Sequence, residues 1–64
     1  MEPVDVARLA RALAALPRLE RAVYRAASVE GLGNAEIAAR LRIDVATVEQ
    51  VLGSALVALE QATR

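Results

Sequence analysis

Apolar positions recur every three or four residues along this chain of 64, and nowhere do they alternate with polar ones. That period belongs to helices with one buried face and leaves no candidate strand. Ala fills fifteen positions, and Leu, Val, Arg and Glu, good helix formers apart from Val, supply most of the rest. The expected fold class is all-α, with residues 1–64 forming a single domain. A chain this short buries only about 60% of the surface its unfolded form exposes, which argues against an enclosed substrate pocket. It has no His and no Cys. Imidazole and thiolate metal sites, disulfides, thiol nucleophiles and Ser-His-Asp triads are therefore excluded. Acidic pairs such as Glu30 with Glu36, or Asp44 with Glu49, read as caps and surface charges, because acid–base work needs a cleft that shifts one pKa. The expectation is a non-enzyme with no cofactor, metal or small-molecule ligand. No apolar stretch exceeds five residues, against the roughly 20 that span a bilayer. Glu2 and Asp5 stand where a signal peptide would be basic. Together these give a soluble, cytoplasmic protein without membrane contact.

Four helical segments follow from the punctuation. The first runs from Met1 to Leu16, opened by Pro3 or Asp5, with Val6, Leu9, Ala10, Leu13 and Leu16 on its inner face. Pro17 ends it and starts a second helix that buries Leu19, Ala22, Val23, Ala26 and the ring of Tyr24. That helix stops at Val29-Glu30-Gly31-Leu32, where Gly31 supplies a left-handed residue and Leu32 folds back. A short third helix extends from Gly33 or Asn34 to Leu41, with Ile37, Ala38 and Leu41 inward and Glu36 placed as in a capping box. Arg42 and Ile43 then lead to Asp44, an N-cap for a fourth helix reaching about Ala62. Gly53 is the oddity in that helix, costing about 1 kcal/mol relative to Ala.

Residues 31–52 carry the functional information: a short Gly-bounded helix, a tight connection, and a longer helix capped by Asp44. Two helices joined so closely cross steeply, and the small Ala38 lets their backbones approach. This is a helix-turn-helix. Either the fourth helix enters a DNA major groove, or the pair is a packing corner. Leu16-Pro17 with Arg21, then Glu30-Gly31-Leu32, Ala35-Glu36-Ile37-Ala38, Leu41, Ile43 and Ala46-Thr47-Val48-Glu49, resembles region 4 of bacterial sigma factors, most of all the extracytoplasmic-function and iron-uptake types. The resemblance runs from about Leu9 to Leu59. The helix-turn-helix of LuxR-type regulators shares the Gly-Leu and Glu-Ile-Ala elements, but Pro17 and the helix ahead of it look more like sigma factors. The resemblance implies a domain that binds the upstream promoter element through the fourth helix and touches RNA polymerase through the others. Ala46, Thr47, Glu49, Gln50 and Gly53 would lie on the base-reading face, with Glu36 and Arg40 on the adjoining DNA-facing edge. The part of a sigma factor that opens promoter DNA is missing, so the chain is expected to be a fragment or a stand-alone relative that cannot start transcription alone.

Several residues depart from that pattern. The family follows its Thr-Val pair with basic residues; here the helix reads Glu49, Gln50, Val51, Gly53, Ser54, and residues 31–64 carry a net charge of −1. Phosphate neutralisation supplies most non-specific affinity, so binding to double-stranded DNA is expected to be weak. Arg42 stands where the family commonly has Gly; in a left-handed turn it costs about 1 kcal/mol, and its charge projects beside the groove. Arg18, Arg21 and Arg25 form a like-charged stripe on the second helix, which is either a solvated face or a site for phosphate or an acidic protein. Apolar residues on the fourth helix exceed one core-facing stripe, with Val51 and Val57 outside the expected core face. Those two suggest a homodimer, an anti-sigma factor or a polymerase contact. The alternative function is thus a protein-interaction or dimerisation module on the same fold with a degenerate DNA face.

Overall fold

The computed structural model describes residues 6–62, which form four helices: α1 (Val6–Ala15), α2 (Arg18–Ser28), α3 (Asn34–Leu41) and α4 (Val45–Ala62). The start signals at Pro3 and Asp5, and the charge of Arg64, lie outside the described residues. The molecule is elongated, 37 × 18 × 17 Å. α4 sets the long axis, since its 18 residues make a rod of roughly 27 Å at 1.5 Å per residue. α1, α2 and α3 all pack against it.

Each connection is fixed by the residues expected to fix it. Pro17 is the N-cap of α2, and its carbonyl accepts the Arg21 amide at 3.0 Å. At the other end Gly31 has φ 68°, and the Leu32 amide returns to the Ala26 carbonyl at 3.0 Å. The positive φ is why Gly stands there. Leu32 then packs on the core beside α2. At the start of α3 the Glu36 carboxylate accepts the Gly33 amide at 3.4 Å, the half of a capping box that survives when the cap residue has no side chain.

The core has two parts. Val23, Ala26, Ile37, Ala38 and Val48 join α2, α3 and α4, and Leu16, Ala55 and Leu59 join the α1–α2 connection to the far half of α4. Ile37, Val23 and Val48 are the largest side chains fully buried. α1 contributes no fully buried residue. Its expected inner face is half right: Leu9, Leu13 and Leu16 pack, whereas Ala10 is exposed and Val6 is 73% exposed. α1 packs mainly along α4, with Tyr24 of α2 in the same cluster, and these leave Val6 and Ala10 uncovered. Leu19 is also 40% exposed rather than buried, standing at the outer start of α2. Val51 corrects the reading of α4, because it packs against the α2–α3–α4 core and is not an outward residue. Val57 stays 53% exposed and its neighbour Leu56 50%, so α1 does not cover the excess apolar surface.

Candidate nucleic-acid interface

The α3–α4 connection, Arg42, Ile43 and Asp44, aims the candidate interface. Arg42 caps α3 in the left-handed conformation, φ 58° and ψ 44°, and its amide and that of Ile43 both close on the Ala38 carbonyl. Ile43 is thereby turned inward onto the core. Asp44 follows and accepts the Thr47 amide at 2.7 Å. Hydrogen bonds from the Thr47 side chain and then its amide hold the Asp44 carboxyl below its ordinary pKa of 3.8, against a small opposing effect of burial. Ala38 is buried where α3 meets α4. With any larger side chain at that point the two backbones would have to separate.

The turn leaves one face of α4 clear of the other helices. Val48, Ala55 and Leu59 point inward, while Ala46, Glu49, Gln50 and Gly53 are exposed on the other side. Glu49, Gln50, Gly53, Ser54, Val57, Ala58 and Gln61 line an open, shallow groove along that side. No atom lies within 4 Å of where a Gly53 Cβ would stand, so packing inside the chain does not demand glycine there. Thr47 is the exception among the expected base-reading residues. It is half-buried, and its side chain is engaged with Asp44, which makes it first of all a capping partner.

On the adjoining edge Glu36 and Arg40 are exposed, but neither is unengaged. Arg40 forms an ion pair with Glu30, and Glu36 accepts the Gly33 amide. Arg42 is exposed beside them. The Glu30 pairing escaped sequence reasoning because its partners are ten residues apart across the α2–α3 loop. The stripe on α2 is divided as well. Arg18 and Arg25 are exposed, whereas Arg21 is half-buried and donates to the Ala14 carbonyl at 3.0 Å, closing the C-terminal end of α1. Arg8 does the same for α4, donating to the Ala62 carbonyl at 3.0 Å. Cations suit helix C-termini, where backbone carbonyls lack partners and the dipole is negative.

The chain matches the family model described as Sigma-70, region 4, over residues 7–59. The chain belongs to the sigma-70 region 4 family. Neither the search of curated proteins nor that of solved structures returned a match. Region 4 is a transcription-related DNA-binding helix-turn-helix module, and a family of that kind acts by binding rather than by catalysis. Its members typically contact DNA and RNA polymerase. Among the described residues of this region 4 domain no helix is long and apolar enough to cross a membrane.

Proposed function

We propose that the domain acts in the cytoplasm in promoter recognition, reading the upstream element with the outer face of α4 while the other helices meet RNA polymerase. Within the family we place it with the extracytoplasmic-function and iron-uptake types. The observation that carries the reading is the turn. A left-handed Arg42 followed by the Asp44 cap presents Ala46, Glu49 and Gln50 at the exposed first turns of α4, the part of a recognition helix that meets base edges. Gln50 is the residue best suited to read a base, through the paired donor and acceptor that match adenine. Gly53 leaves the backbone open to close approach. Arg42 and Arg40 are the cations within reach of phosphate, and Arg40 has to loosen its pairing with Glu30 to serve there. So few cations imply a Kd on the order of 10⁻⁴ to 10⁻⁶ M and a shallow salt dependence. Titrating isotope-labelled protein with a promoter-like duplex at low salt tests this: shifts should cluster on Ala46–Gly53, and Gln50→Ala should flatten any sequence preference. An α4 whose resonances never move rules the DNA reading out.

A second reading has its own observation, the exposure of Leu56 and Val57 on the far half of α4. Adjacent exposed apolar residues beside an open groove suit a protein contact, either a second copy of the chain or an anti-sigma factor. The same fold then serves as an interaction module.

A further inference from the structure

Charge is segregated along this fold in the sense opposite to a simple DNA-binding domain. Across the described residues, 6–29 carry five Arg and one Glu, a net charge of +4, whereas residues 30–62 carry two Arg and five acids, a net charge of −3. The cationic half is α1 and α2, away from the recognition helix. Of its arginines, Arg8 and Arg21 are committed to helix C-termini. The side chains of Arg18 and Arg25 are exposed and, among the described residues, make no hydrogen bond or ion pair. They stand seven residues apart on one helix face, about 10.5 Å along the axis.

The direction of that face decides what it can meet. α2 and α4 pack directly on each other through Val23 and Val48. At 100° per residue Arg18 and Arg25 lie about 140° and 160° around α2 from the buried Val23. Gln50 and Gly53 lie about 140° and 160° around α4 from the buried Ala55. The two outer faces therefore look in opposite directions, and one straight duplex seated on α4 does not reach Arg18 or Arg25. A second copy is a poor complement too. Three of the five carboxylates of its acidic half are engaged, Glu30 with Arg40, Glu36 with the Gly33 amide and Asp44 with the Thr47 amide, and a head-to-tail contact between unlike faces forms no closed C2 dimer.

The geometry points to an acidic protein segment as the occupant. We infer that the outer face of α2 docks a helix carrying two carboxylates about two turns apart, with Arg18 and Arg25 as bidentate partners. Guanidinium groups pair with carboxylates through two parallel hydrogen bonds, and Arg is enriched at protein interfaces. Because this face is opposite to α4, the docked segment and DNA occupy the domain together. The inference stands whether or not α4 binds duplex.

The test uses a synthetic helical peptide with Glu at positions i and i+7, titrated into isotope-labelled protein at low and at moderate salt. Expected are amide shifts confined to Arg18–Arg25, binding weakened by salt, and a loss of about tenfold or more in the Arg18→Glu, Arg25→Glu double variant. Arg18→Gln with Arg25→Gln gives the same readout without charge reversal if the first variant folds poorly. A scrambled peptide of equal charge should bind more weakly, and duplex should leave α2 unmoved in wild type. The inference is overturned by no shift on α2 with the peptide, by equal binding of the scrambled peptide, or by duplex shifting Arg18–Arg25, which would make the stripe a phosphate site. Salt-sensitive self-association abolished by the same variants would overturn it in favour of a second copy.

Discussion

Arg42 and Asp44 are two single residues on which the aim of α4 depends, and they act in opposite directions. Arg42 holds φ 58°, where a Cβ crowds the following carbonyl at a cost of about 1–2 kcal/mol. Arg42→Gly removes that strain and returns part of the gain as unfolded-state entropy. It should therefore raise stability by about 0.5–1 kcal/mol in thermal or urea unfolding, whereas Arg42→Ala, which keeps the Cβ, should not. An Arg42→Gly protein less stable than wild type would mean the arginine head contributes more than its backbone costs. Asp44 works by charge. Its folded pKa lies below the ordinary 3.8, so its carboxylate stabilises the fold above about pH 4, and the contribution is lost as pH falls through the folded pKa. Asp44→Ala should lower the thermal midpoint at pH 7, and the gap to wild type should close as the acid limb is reached. A gap that persists unchanged at pH 2 would show that the charge is not what caps α4.

At the scale of the helices, the outward and inward valines of α4 separate what one period can predict from what it cannot. Val51→Lys should cost more than about 1 kcal/mol, since it forces a charge against the α2–α3–α4 core. Val57→Glu, at an exposed site, should stay within about 0.5 kcal/mol. Gly53→Ala should stabilise α4 by about 1 kcal/mol, since the new Cβ meets nothing within 4 Å. Urea unfolding of the three variants orders them. The sequence reading placed both valines outside, yet at 100° per residue Val51 sits at the margin of a stripe centred on Val48, Leu52 and Ala55, whereas Val57 lies opposite it. Packing split them: α2 and α3 flank the first half of α4 and widen its buried arc to include Val51, while α1, Leu16 and Tyr24 cover the inner side of the second half and leave Val57 outside. Helix ends were legible for a different reason. Pro17, Gly31 and Asp44 each impose a backbone constraint or a hydrogen bond that needs no tertiary partner. Val6, Ala10 and Leu19 misled because an apolar residue at the right spacing is buried only if a second surface arrives to cover it.

For the whole molecule, the candidate site was legible as a list of residues on one face but not as a set of free groups. Spacing put Gln50 and Gly53 on the outside of α4, and could not show that Arg40 is held by Glu30 or that Thr47 is engaged with Asp44. Those partnerships lower further the number of cations ready for phosphate, and they sharpen the choice between a DNA reader and an interaction module. The discriminating surface is Leu56 with Val57, half-exposed beside the same groove that Gln50 and Gly53 line. If two copies pair there, the face is hidden from DNA and association must compete with duplex. A C2 contact uses that patch twice and would supplement a core in which three large side chains are fully buried. Sedimentation equilibrium of wild type and Val57→Glu, each with and without a promoter-like duplex, resolves this. On the pairing reading wild type self-associates, Val57→Glu is monomeric with unchanged helicity, and duplex drives wild type toward monomer in proportion to its occupancy. A wild type that remains monomeric at millimolar concentration leaves α4 to DNA, and Val57→Glu should then change duplex affinity only through the charge it adds.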